Sequence, residues 1–166
     1  DRPDLISLGY GKGVPMGGTL GAAPEGRVPT FLVQAMKDPY NANLDRVQII
    51  KGWTDDSGKA HERIWDIAVA GDRRIAADGR AHESVGSTVD IEDASYRNSI
   101  GASSLSAFWQ DPDFDSAQRA LYYVRVLEIP TPRWTTYDAK IFNREIPEGA
   151  PTEIQERAYT SPIWYR

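Results

Sequence analysis

Residues 117–134, AQRALYYVRVLEIPTPRW, constrain the fold more than any other stretch. Ala120, Tyr122, Val124 and Val126 fall on one side of an extended chain. Leu121, Tyr123, Leu127 and Ile129 fall on the other, with Arg125 among them. Strand side chains alternate between faces, so a run apolar on both is a central strand. DPDFDS precedes it, a polar turn signal with Pro112 and three aspartates. IPTPRW follows, and its two prolines are read as ending the ladder.

Taken in order, residues 1–27 differ from the rest. GYGKGVPMGGTLGAAPEG holds seven glycines and two prolines in eighteen residues, which predicts an irregular, docked arm or interdomain connection. A phosphate-cradling loop is the functional alternative. Neither nucleotide-binding glycine pattern can be placed there, and no strand-then-helix context surrounds it.

A sandwich domain is expected from 28 to 166. VPTFLVQAMKD is a strand candidate with Pro29 at its start. LDRVQIIKGW alternates, with Val47 and Ile49 inward and Arg46 and Gln48 outward. TDDSGKA turns, with Gly58 placed for positive φ, and ERIWDIAVAG returns as the second arm of a hairpin. Residues 72–84 read as a loop, VGSTVDI as a short strand and SLSAFWQ as another. TYDAKIF could make a helical turn or two, and ERAYTSPIWYR closes the chain as a last strand with Pro162 at an edge or bulge. About seven short strands with no long amphipathic helix predict an all-β, antiparallel two-sheet sandwich; a barrel is the alternative. DSAQRALYYV favours an immunoglobulin-like sandwich, because a tight turn before a strand suits a tyrosine corner. Tyr122 is the candidate, its hydroxyl expected to bond backbone in the preceding connection.

Composition removes several functions. The net charge of −5, with no basic stripe, argues against a nucleic-acid partner. The absence of cysteine excludes a disulfide framework and a thiolate site within the chain but leaves the compartment open. No apolar run approaches the roughly 18 residues that span a bilayer. The opening DRPDLISLG lacks an initiator Met and an apolar leader, so Asp1 is expected to be a cut point in a longer protein.

Candidate chemistry is sparse. Asp111, Asp113 and Asp115 have the opening spacing of a calcium loop, yet Ser116 stands where that loop needs Gly and Tyr122 where it needs Glu. A solvated turn is the simpler reading. His61 and His82 are the two histidines, too few for a mononuclear metal site built from this chain. Serine, histidine and acid types exist without a nucleophile-elbow motif. Asp55 and Asp56 are adjacent and expected to diverge. Trp53, Trp65 and Trp109 lie in strand candidates, where core packing competes with sugar stacking, whereas Trp134 and Trp164 are better placed for exposed contacts. Arg125, buried on a central strand, needs a partner: Glu128, Asp66 and Glu156 are the candidates, and an anchor for an adjoining domain is the functional reading. No residue is assigned a catalytic, cofactor-binding or metal-binding role.

Four stretches carry a family resemblance: GYGKGVPMGGTL, PTFLVQAMKDPYNANLDRVQIIKGW, FWQDPDFDSAQRALYYVRVLEIPTPRWTTYDA and IQERAYTSPIWYR. Together they resemble the C-terminal part of the bacterial family catalogued as domain of unknown function 3604. The closing SPIWY also resembles the ending of the carbaryl-esterase-like branch of the polymerase-and-histidinol-phosphatase (PHP) superfamily. The resemblance implies a longer protein with a PHP-like, metal-dependent hydrolase domain upstream, holding a divalent metal on histidines that this chain lacks. The partner it implies is that domain. Where the resemblance leads one to expect an acid after GVPMGG, this chain has Thr19. The expected function is a non-catalytic C-terminal module that packs on the hydrolase domain and walls its cleft. The alternatives are a ligand- or carbohydrate-binding module, and a fragment that completes the parent's active site through arm residues such as Lys12 and Met16.

Overall fold

The computed structural model describes residues 5–166. Its elements are α1 (Leu5–Lys12), β1 (Thr19–Leu20), β2 (Thr30–Met36), β3 (Leu44–Thr54), β4 (Ala60–Val69), β5 (Ser104–Gln110), β6 (Ala120–Glu128), β7 (Thr131–Pro132), α2 (Trp134–Phe142), β8 (Glu153–Ile154), β9 (Arg157–Tyr159) and β10 (Ile163–Tyr165). The main sheet runs β1-β10-β6-β3-β4, with β9 pairing further along β6. All its pairings are antiparallel except β1 with β10. β2 and β5 form a second antiparallel sheet, and β7 and β8 a small third one. The fold is all-β and sandwich-like, as expected.

β6 is the central strand that the sequence predicts, flanked by β3 on one side and by β10 and β9 on the other. The hairpin β3–β4 also forms as predicted, with Gly58 at φ +83° in its turn. One face of the main sheet carries Ile49, Tyr122, Ala120 and Tyr165, all buried, and Phe31, Val33 and Trp109 of the second sheet pack against them. A large apolar side chain such as Ile49 stabilises the fold by roughly 1.5–3 kcal/mol when fully buried. Trp65 is the aromatic plug between the sheets, its ring 5.1 Å from Trp109, while Trp53 sits half-buried at the hairpin end, stacked on His61.

The second sheet has two strands and cannot cover the wider main sheet. β5 contacts β3 and β4, and Phe31 of β2 meets Tyr122 of β6 at 4.7 Å. Beyond the free edge of β2, the arm takes over.

Four expectations need correction. The arm is not wholly irregular: it holds α1 and then β1, which joins the main sheet through bonds such as Trp164 N–H to the Gly18 carbonyl (3.0 Å). Each glycine inside α1 costs about 1 kcal/mol relative to alanine, so contact, not propensity, holds the arm; Leu20 and Ala23 pack on the core. VGSTVDI forms no strand. Gly86 adopts φ +83°, and the Ser87 and Thr88 hydroxyls bond Glu153 and the Arg97 carbonyl instead, leaving one isolated bridge, Asp90 with Ser95. The final strand is split, since Pro162 offers no N–H and β9 and β10 pair with different parts of β6. Finally, the prolines after β6 do not end all pairing, because Thr131–Pro132 turns away to pair with β8.

Candidate binding site

The strand period of β3 puts Lys51 on the same face as Val47, Ile49 and Trp53, so a lysine enters the core. It is 3% exposed. Its ammonium donates to Asp111 Oδ2 at 2.7 Å and to the Asp113 carbonyl at 2.9 Å, and lies 5.4 and 5.8 Å from the Trp53 and Tyr122 ring centres. The Tyr122 hydroxyl donates to the same carboxylate oxygen at 2.7 Å. Burial first, then the Asp111 carboxylate, pushes the Tyr122 phenol above its ordinary range. Tyr122 is thus buried as expected, but its partner is a side chain and not backbone. The corner bond is made by Tyr165, whose hydroxyl donates to the Ser116 carbonyl at 3.0 Å and accepts from Ala23 N–H at 3.1 Å.

The three aspartates of the corner do not converge. Asp111 holds Lys51 and Tyr122, Asp113 pairs with Arg63, and Asp115 accepts from Ala117 N–H at 2.8 Å. Among the described residues, no group of three His, Cys, Asp or Glu side chains is arranged to hold a metal ion.

Ser57, Asp55 and His61 meet in the β3–β4 turn, the residue types of a hydrolytic triad. The order is wrong for one. Ser57 Oγ donates to Asp55 Oδ1 (2.6 Å) and the His61 ring contacts Asp55 Oδ2 (2.7 Å), so the carboxylate sits between them. A nucleophile must touch the base, and here it touches the acid. The bond to His61 is the main reason that Asp55 stays ionised well below the usual carboxylate range. His82 is bonded to Asp78 (2.9 Å) on another turn.

Arg125 does not take Glu128, Asp66 or Glu156 directly. Its Nε donates to Gln48 Oε1 at 2.7 Å, and Gln48 Nε2 donates to Asp66 Oδ1 at 2.6 Å. Gln48, read as outward, is 2% exposed. The segment after β4 folds over it, and Ala81 N–H donates to Asp66 Oδ2 at 2.8 Å. On the outer side, Arg125 and Arg157 hold the Tyr159 phenol below its ordinary range.

A half-open cavity of about 610 Å³ lies beyond the edge of β2. Its floor is Phe31, Val33, Ile49, Tyr122, Val124 and Ile163. Its roof comes from the arm, with Tyr10, Val14, Pro15 and Met16. Lys12 and Met16, singled out in the arm, are both brought to it. No sequence pattern shows this space, because it exists only once the arm is laid across two sheets.

A second feature is a surface. α2 buries Thr135 and Thr136, whose hydroxyls donate to the Pro151 and Thr152 carbonyls at 3.1 and 2.6 Å. It exposes Trp134 (62%), Ile141 (70%), Phe142 (64%) and, at 38%, Tyr137. Trp134 is exposed as expected and Trp164 is 40% exposed. The three- and four-residue spacing of Trp134, Tyr137 and Ile141 was the available signal for this stripe.

No curated protein and no solved structure matches the chain. A family model does, over residues 1–166, and by that match the chain belongs to the family described as protein of unknown function (DUF3604).

Proposed function

We propose that the chain is the non-catalytic, C-terminal β-sandwich module of a PHP-like, metal-dependent hydrolase, and that it packs on the catalytic domain upstream. The observation that carries this reading is the inverted burial of α2. A helix that buries threonines and exposes Trp134, Tyr137, Ile141 and Phe142 forgoes roughly 1.5–3 kcal/mol per large apolar side chain relative to a covered one. Contiguous exposed apolar groups of this kind mark interaction surfaces. The outward side of the β2–β5 sheet supports the same role. Leu32 faces Phe108 across the two strands there, and neither strand carries a charged residue.

The non-catalytic part of the proposal rests on how the polar groups are used. The described carboxylates and imidazoles do not form a donor set that fits a divalent metal, and Ser57, Asp55 and His61 are out of order for acyl transfer. The metal chemistry is therefore assigned to the upstream domain, and no step is routed through this chain.

Hydroxyl-radical footprinting of the full-length protein tests the docking. Trp134 and Phe142 are expected to be protected, and Tyr137→Asp with Ile141→Asp is expected to restore their labelling and to lower the melting temperature. Labelling of both residues in the unmutated protein at the rate of free side chains would overturn the proposal.

A further inference from the structure

The cavity under the arm has properties that docking does not require. It is half-open, lying between the two sheets and the arm, and closely packed elements leave few gaps larger than a water molecule between them. At about 610 Å³ it falls in the range of small-molecule pockets, roughly 300–1,000 Å³. Its walls are mainly aliphatic and aromatic, and the Tyr122 hydroxyl is turned away to Asp111, so that residue offers the cavity its ring.

Among the described residues that line the space, Lys12 carries the one formal charge. Thr160 and Ser161 bring hydroxyls to the same lining. Thr160 Oγ1 already accepts from Val124 N–H at 3.0 Å, which leaves its own O–H to donate. A cation and a free hydroxyl donor at the margin of an apolar space complement a ligand with an apolar body and an anionic end.

We propose that this cavity binds a small amphipathic carboxylate, an alkyl or aryl acid. Its apolar body lies between Phe31, Val33 and Val124, and its carboxylate pairs with Lys12. The arm is the movable wall. Its far end is fixed to the main sheet, where Gly17 N–H donates to the Pro162 carbonyl at 3.0 Å and Thr19 and Leu20 pair with β10. The segment between α1 and that anchor begins at Gly13, and it meets the anchor at Gly17, whose φ of +86° is one where a side chain would strain the backbone. The proposal is independent of the docking role of α2, whose residues do not line the cavity.

The test is calorimetric titration of the full-length protein with decanoate and, as a charge-free match, decan-1-ol. Decanoate is expected to bind saturably at one site, about fivefold more tightly than the alcohol, with the difference shrinking at high salt. Lys12→Met is expected to lower the affinity for decanoate to that of the alcohol and to leave the alcohol unchanged. Val33→Trp fills the floor and is expected to abolish both. Met16→Trp, on the exposed roof, does the same should Val33→Trp fail to fold. Absence of saturable binding would overturn the proposal, as it would if the upstream domain filled the cavity. Equal affinity for acid and alcohol, or binding that survives both filling substitutions, would overturn it as well.

Discussion

Strand β3 carries a buried polar system on each face, and the two are built differently. On the face toward the second sheet, Lys51 meets Asp111 directly at 2.7 Å, and both are 3% exposed. On the opposite face, Arg125 and Asp66 are separated by the Gln48 amide, which accepts from one and donates to the other. The first site is closed by aromatic rings, so full charges have no access to water and must satisfy each other. The second lies under a loop, and its guanidiniums reach outward; Arg80, 3.4 Å from Asp66, has a side chain 38% exposed. A neutral relay suffices where solvent shares the charge, and a direct pair is required where it does not.

The largest effect is expected from breaking the direct pair. Lys51→Met leaves Asp111 buried with Tyr122 and an amide but no cation, and is expected to cost about 3–5 kcal/mol in denaturant unfolding. Asp111→Asn added to it is expected to recover part of that loss, since the stranded charge is gone. A cost of Lys51→Met within about 0.5 kcal/mol of zero would mean that water reaches the site and that the contrast between the two faces is false.

Breaking the relay is expected to cost less. Gln48→Leu removes two hydrogen bonds to charged groups, but Asp66 keeps Ala81 N–H and Arg80, and Arg125 keeps a route to solvent. The expected loss is about 1–3 kcal/mol, read from the same melts. A loss equal to that of Lys51→Met would show that the loop seals this face as tightly as the rings seal the other.

The two faces also differ in how far the sequence reveals them. Lys51 was missed although its signal was present: a strand that places Val47 and Ile49 inward must place residue 51 inward, and a buried lysine needs an acid. Gln48 gave no such signal, because the same alternation put it outward; it is covered by a loop whose path no period encodes. The central strand, the hairpin and the turn at Gly58 could be read because each rests on local periodicity or backbone preference. The segment 85–91 misled because β-branched residues at alternate positions say nothing about the hydroxyls that bond elsewhere. The apolar stripe of α2 was present in the spacing, but its outward direction is set by threonine bonds to the distant Pro151 and Thr152 carbonyls. The cavity needed the arm, and the arm's composition predicted its dependence on contact but not its place.

Glu128 sharpens the comparison from a third setting, with neither a direct cation nor a neutral relay among the described residues. It ends β6 half-buried, its N–H donating to the Glu156 carbonyl at 3.0 Å. Burial first, then the charge of Glu156, raises its pKa above the ordinary 4.5, with Lys37 acting in the opposite sense. A carboxyl whose folded pKa is raised holds its proton more tightly in the native state than in the unfolded one. Its stabilising contribution is full below the unfolded value and is lost as pH rises through the folded value. At about pH 7 the ionised group therefore works against the fold. Glu128→Gln is expected to raise the denaturation midpoint there, and the advantage is expected to shrink as pH falls toward about 4. Paired melts across that window measure it. A variant less stable than the parent at neutral pH would show that Lys37 dominates and that Glu128 belongs with the directly paired charges of the other face.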